Sequence, residues 1–430
     1  MGMMRRILPG QRGFTLVELM IAMALVGVLT AVIYGLFTRT SDSLSEVEEM
    51  STTLDRARFA LAMVRQDLQS AGSQATPNAA VDPYVRPPVI NENIHAVMIY
   101  DGWEDNRGVY DESGVPDGMG AENPRSRFSG FVVIGALDFP QSFFVEEMNP
   151  TPPGAEFVVK ATERGVGRLN VIDPFDVFAG NVNILGDSDR LEDDMTGRLL
   201  RVMDGQGFFQ FSPISQANVS GNELELTASS VRFRGTGEIA GLEMYMEPDE
   251  ALDVALLDAF WYRVRVDPLD PTNFQLVRER LNAADLIGMT ALSEEGLEGI
   301  TIDDDLLVVA DHVVDFRVWF DCIPSSGQWA PVPRQDGWDI TNGASSCLDD
   351  DLQQSNPQRL RIAHVRLSLR TPTENANRPH LQIVDGWEGF QDADGAMVTY
   401  NVFPWARGSA GVVTLQSTIE MTNFAMRGVL

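Results

Sequence analysis

The sequence predicts an α+β protein: a long N-terminal α-helix, half transmembrane and half amphipathic, packed on a large antiparallel β-sheet domain. Three observations predict it. An apolar run, GFTLVELMIAMALVGVLTAVIYGLF, fills residues 13–37. A second stretch, Leu44 to Leu68, repeats its apolar residues in steps of three and four, the spacing of one helix face. Beyond it the chain breaks into short alternating or β-branched runs between polar turns, the pattern of strands. A helix followed by many antiparallel strands is an α+β arrangement, in which the sheet covers the helix's apolar stripe.

The first element has membrane length. Leu19 to Phe37 are nineteen residues without a charge, and about 20 apolar residues cross a bilayer as a helix. Arg5, Arg6 and Arg12 precede the run with no acid among them. The positive-inside bias therefore holds the first residues in the cytoplasm, and everything after about Arg39 is exported. Glu18 is the exception, because a carboxylate in a hydrophobic span is costly and marks a function by default. An ordinary secretory signal has a shorter apolar region and a small-residue cleavage site at its far end. Here the polar break, Arg12-Gly13, comes first, and no proline interrupts the run.

The stretch GFTLVELMIAMALVGVLTAVI resembles the class III signal of type IV prepilins and of type II secretion pseudopilins. The resemblance implies the pilin fold, here enlarged, and processing by a dedicated membrane prepilin peptidase. Carried onto this sequence, the peptidase cuts after Gly13, removes the leader 1–13 and N-methylates Phe14. Glu18 becomes the fifth residue of the mature chain. A carboxylate in lipid needs a partner, and the charged N-terminus of a neighbouring subunit supplies one, which would set the register as a subunit enters a filament. The plainer alternative is a membrane anchor in which Glu18 lies near the headgroups without a special role.

The second half of the helix is amphipathic. Leu44, Val47, Met50, Leu54, Ala57, Leu61, Val64 and Leu68 form one stripe, with Glu46, Glu48, Glu49, Asp55, Arg56, Arg65 and Asp67 mostly off it. Gly72 is the expected stop. A single helix over 14–72 measures roughly 85 Å at 1.5 Å per residue, with 14–37 in the membrane or filament core. A coiled-coil partner is the alternative for the stripe, but the period is short for one.

The exported region is 73–430. Strands are expected at 96–100, 130–135, 156–161, 199–203, 208–212, 223–228, 260–266, 274–281, 315–320, 364–370 and 412–421. FWYRVRV and FQLVRER, joined by DPLDPTN, read as an antiparallel hairpin. The acidic, Gly/Pro-rich stretches 101–127, 185–197 and 373–396 read as surface excursions.

RARFALAMVRQDLQSAG (56–72) resembles the corresponding stretch of PilW-type minor pilins. The later order of FWYR, LVRER, VVADHVVDFRVWF, RIAHVRLSLRTPT and STIEMTNF is also similar to that family. The portion 85–250 matches weakly and reads as an enlarged or inserted part. The resemblance implies a low-abundance subunit at the pilus tip, partnered by other minor pilins and the major pilin, often with a large tip adhesin. It also implies an inner-membrane precursor, single-pass, with its globular domain in the periplasm and later outside the cell.

Cys322 and Cys347 are the only cysteines. The exported topology places both in an oxidising compartment, so a disulfide is expected, closing the loop 322–347. It would add about 3–4 kcal/mol in the chain-entropy account. The pair lacks the CxxC spacing of redox centres and is similar to the C-terminal loop disulfide of pilins.

Composition narrows the chemistry. The net charge is −30, and loss of the three leader arginines takes it to −33. Lys160 is the sole lysine. Such a chain is unsuited to nucleic acid or anionic lipid, which attract basic surfaces. His95, His312, His364 and His380 show no HExxH or paired-ligand spacing, and there is no GxSxG, P-loop or dinucleotide fingerprint. No catalytic residue, metal site or cofactor is assigned, and the protein reads as a non-enzyme. The acid clusters 187–194, 302–305, 348–351 and 392–395 are candidates for calcium but read as solvated loops, since none has EF-hand spacing. Trp103, Trp329, Trp338 and Trp387 are candidates for a partner surface or for core packing.

Three functional readings follow. The first is a type IV minor pilin that primes assembly and sits at the fibre tip. The second is a type II secretion pseudopilin of the GspJ/PulJ branch, whose members are usually much shorter. The third is a pilin-anchored exported enzyme or adhesin, the adhesin carrying an added ligand-binding region for sugar or calcium.

Overall fold

The computed structural model describes residues 15–76, 82–86, 94–100, 130–138, 142–144, 147–149, 155–160, 195–220, 223–228, 231, 253–270, 273–288, 294–322, 360–372, 411–421 and 423. The chain divides into two units, Met1–Leu54 and Asp55–Leu430. The helix α1, Leu16–Ser70, is continuous across that boundary. It is the described element of the first unit, and its last turns belong to the second.

In the second unit Ala57, Leu61, Val64 and Leu68 are buried as the spacing predicts, with Ala60 and Ala71 beside them. The earlier members of the stripe differ. Leu44 and Val47 are exposed at 65% and 67%, so the amphipathic spacing runs past the turns that a core covers. Asp67, placed off the stripe by the spacing, is buried.

The helix ends as expected. Gly72 has φ of 70°, the left-handed conformation that closes a helix C-terminus at no steric cost. Its N–H donates to the Ile134 carbonyl at 2.9 Å, and Ala136 N–H donates to the Ser73 carbonyl at 2.9 Å. A Cβ on Gly135 would lie 2.7 Å from the Ser70 carbonyl oxygen, so glycine is what admits this close approach. Asn423 completes the end, its Nδ2 donating to the carbonyls of Gln69 at 3.0 Å and Ala71 at 3.2 Å. Those carbonyls belong to the last turn, where intrahelical donors run out.

Among the described residues, eleven strands form one antiparallel sheet. Its hub is β9, Asp253–Val266. β10, Phe274–Leu281, pairs with β9 from Phe274 opposite Val266, which is the hairpin expected across DPLDPTN. β2 (Gly130–Gly135), β3 (Ser142–Phe144) and β6 (Leu199–Met203) also pair with β9. The sheet continues from β2 to β1 (Val97–Tyr100) and from β10 to β11 (Thr301–Ala310). From β6 it continues through β7 (Phe209–Ser220), β8 (Glu223–Ala228) and β5 (Ala155–Lys160) to β4 (Glu147–Asn149). The described strands between 97 and 228 are thus woven into the same sheet as β9 and β10.

A second, three-stranded sheet has the order β12 (Val313–Cys322), β13 (Leu360–Arg370), β14 (Val412–Glu420). The run VVADHVVDFRVWF, read as one motif, holds the change from one sheet to the other. β11 ends at Ala310 and β12 starts at Val313. Between them His312 takes a φ of 59°. Its N–H donates to Asn273 Oδ1 at 2.9 Å, and its carbonyl accepts from Arg370 N–H at 2.9 Å.

Alternation along β9 divides the interior. Phe260, Tyr262 and Val264 face one core, shared with α1 and with Phe316, Val318, Val365 and Leu367 of the small sheet. Ala259 and Trp261 face the other core, shared with Phe209, Phe211, Leu286 and Leu297. A strand buried on both faces reads as a continuous apolar run, which explains DVALLDAFWY. Leu286 and Leu297 lie on two short helices, α2 (Ala283–Gly288) and α3 (Glu294–Glu298), that the sequence reading did not anticipate. Nor did it anticipate β11, where the acids 302–305 lie in a strand and not in the loop expected for them.

Candidate functional site

The sequence directs attention to the start of α1. Thr15 is the cap and Glu18 stands in the first turn. Glu18 Oε2 accepts from Thr15 N–H at 2.9 Å and from the Thr15 hydroxyl at 3.1 Å, while Glu18 N–H donates to Thr15 Oγ1 at 3.3 Å. This reciprocal arrangement is a capping box. It satisfies two amide groups that a helix start otherwise leaves open, and it brings a negative charge to the positive end of the helix dipole. The signal was present as Thr-x-x-Glu before an apolar run, and Thr15 is the residue that the sequence reading missed.

From Leu19 to Phe37 the helix is apolar on all sides, and its large side chains are exposed, with Leu25 at 65% and Phe37 at 70%. It is the one helix among the described residues long and apolar enough to cross a membrane. The hydroxyls of Thr30, Thr38 and Thr40 donate to the carbonyls of Val26 at 2.8 Å, Tyr34 at 3.2 Å and Leu36 at 2.8 Å. Their polarity is thereby absorbed within the helix, as a medium without hydrogen-bond partners requires. Together these features make a stretch suited to lipid or to the apolar interior of a helical assembly, with its one carboxylate at the end.

A second cluster of charged groups lies at the other end of α1. Asp67 Oδ2 accepts from the Tyr262 hydroxyl at 2.6 Å and from Arg278 Nε at 2.8 Å. Arg278 Nη2 donates to Asp138 Oδ1 at 3.1 Å. Arg198 lies 3.8 Å from Asp138 Oδ2 and hydrogen-bonds Asp258. Asp138 N–H donates to Asp258 Oδ2 at 3.0 Å. Burial pushes Asp67 above its ordinary value, against the opposing pull of Arg278. It pushes Asp258 up to about 6, against Arg198. Asp67, Tyr262 and Arg278 come from three of the separate motifs, VRQDLQ, FWYR and LVRER, and Asn423 from a fourth, STIEMTNF.

The remaining candidates are scattered. Gly13 and Phe14 lie outside the described residues, as does Cys347. Cys322 ends β12, but the described side chains do not include it, so the disulfide also falls outside. The acid clusters 187–194, 348–351 and 392–395, His380 and the four candidate tryptophans likewise lie outside. Among the described residues no group of three His, Cys, Asp or Glu could hold a metal ion. His95 and His312 are pushed down by burial, and His364 Nδ1 meets Thr418 Oγ1 at 3.3 Å.

Residues 8–34 match the prokaryotic N-terminal methylation motif. The chain is also similar to the pilin-like protein PilA3 of Thermus thermophilus, 41% identical over 64 residues. That match covers 15% of this chain and 28% of the relative's length. No solved structure matches the chain. The motif and the long apolar helix behind it make the N-terminal region of the chain similar to that of pilin-like proteins.

Proposed function

We propose that this protein is a minor pilin of the PilW type, which helps to prime assembly of a type IV pilus and sits at the fibre tip. The observation that carries the reading is the methylation motif running into an exposed apolar helix with Glu18 in its first turn. The work is mechanical and templating, without turnover. The precursor inserts with its arginines in the cytoplasm, and the prepilin peptidase cuts between Gly13 and Phe14 and methylates Phe14. In the lone subunit Glu18 is held by Thr15. Docking exchanges those hydrogen bonds for the charged N-terminus of a neighbouring subunit, a stronger partner in a low-dielectric surrounding. The exported domain meets other minor pilins, and its Cys322–Cys347 disulfide closes the loop 322–347.

The test is mass spectrometry of the N-terminal peptide from membranes and from sheared fibres. A peptide beginning at methylated Phe14 in both, scarce in the fibres, is the expected result. The same peptide confined to membranes would favour a secretion pseudopilin, and an uncut N-terminus would remove the basis of the reading. In the same assay Glu18→Ala should insert normally but be lost from the fibres. Its undiminished presence there would rule out the role given to Glu18.

A further inference from the structure

We propose that the buried chain of Asp67, Arg278, Asp138, Arg198 and Asp258 is a proton-holding latch, which fastens the end of α1 to the sheet more firmly in mildly acidic than in neutral medium. It does not depend on the pilus reading.

The geometry imposes an excess charge. The groups that face one another are Asp67 from α1, Tyr262 and Asp258 from β9, Arg278 from β10, Asp138 after β2 and Arg198 before β6. Among the described residues three carboxylates meet two guanidinium groups and a phenol, so full ionisation of these acids leaves one negative charge over. Little water reaches it: side-chain exposure is 0% for Asp258, 5% for Arg198 and 6% for Asp67. Asp138, at 24%, is the wettest member. Arg278 cannot neutralise the surplus alone, since Asp67 and Asp138 divide its donors and its guanidinium also lies 3.3 Å above the Phe260 ring. The Tyr262 phenol stays neutral, because burial and Asp67 push it well up, and it serves as a donor to Asp67.

A buried uncompensated charge is relieved most cheaply by a proton. Burial raises Asp258 to about 6, and the Asp138 charge adds to it; burial likewise raises Asp67, with a smaller push from Asp138. Both are raised in the fold above the ordinary carboxylate value of 3.8, so the folded state holds the proton more tightly than the unfolded chain. The stabilisation is complete below that ordinary value and is lost as pH rises through about 6. A proton on Asp258 leaves Arg198 to neutralise Asp138 and Arg278 to neutralise Asp67, so the contact strengthened is the Arg278–Asp67 pair that seats α1.

The full chain in detergent, melted at fixed ionic strength from about pH 7.5 to about pH 5.5, tests this. Wild type should gain roughly 1–2 °C more on acidification than Asp258→Asn, whose amide stands in for the protonated acid. Hydrogen exchange of peptides from 57–72, corrected for the intrinsic rate, should slow on acidification in wild type and change little in the variant. Parallel melting profiles would overturn the proposal, as would equal slowing in both proteins. Should Asp258→Asn not fold, Asp138→Asn carries the same test. It removes a neighbouring charge that raises Asp258, so a flattened profile supports the latch and an unchanged one overturns it.

Discussion

Ser70 and Gly135 meet where a helix end and a strand pass closer than side chains permit. A Cβ on residue 135 would have the Ser70 carbonyl oxygen at 2.7 Å and Gly72 N at 3.3 Å, both backbone atoms that cannot swing aside. Gly135→Val should therefore destabilise the second unit by about 1–3 kcal/mol, read as a lower denaturation midpoint of the full chain in detergent. An unchanged midpoint would show that β2 can draw back freely. Asn423→Ala removes two hydrogen bonds from helix carbonyls and should cost about 1–2 kcal/mol in the same assay. A loss well below that would show that water takes over the cap. Some of this scale was legible in the sequence. Gly72 read as the stop from its position after the stripe, and Glu18 read as exceptional from its charge. Asp67 did not, because periodicity sorts residues by their own helix. Its reason for burial, Arg278, lies 211 residues away. Gly135 gave no signal either, since a close approach is invisible until both backbones are placed.

At the scale of elements, strands with a simple alternation or an aromatic start were legible, and the hairpin of β9 and β10 followed from two Asp-Pro steps in its loop. Elements that mix signals were not. β11 carries three aspartates in its first half, which reads as a loop although β10 pairs along it. The first half of β9, DVALLDA, has no polar alternation because successive residues from Val254 to Ala259 are all buried. The helix shows a third case. Its apolar spacing is uniform, yet burial starts only at Thr53 and Ala57. Spacing defines a face but does not say how much of that face meets a core.

For the whole molecule, charge dominates. At −30 the fold works against its own repulsion, which salt screens with a Debye length of about 10 Å at 0.1 M. Thermal stability near neutral pH should rise with added sodium chloride. A fall would mean that attractive surface pairs, and not the net charge, set the electrostatic balance. The buried latch should respond little to salt, so pH and ionic strength separate the two effects. The division of the strands between two sheets was not legible at all. It turns on Asp311 and His312, two polar residues inside a run that reads as one motif.

The cap on α1 also has a consequence in time. Asn423 is joined to the ribosomal product 354 residues after Gln69, whose carbonyl it binds. The helix is thus made long before the residue that closes its end. Throughout that interval the nascent chain exposes the seat that Asn423 will close, and a chain arrested before that residue keeps it open. A protease or chaperone that recognises this seat would distinguish chains that have reached Asn423 from those that have not.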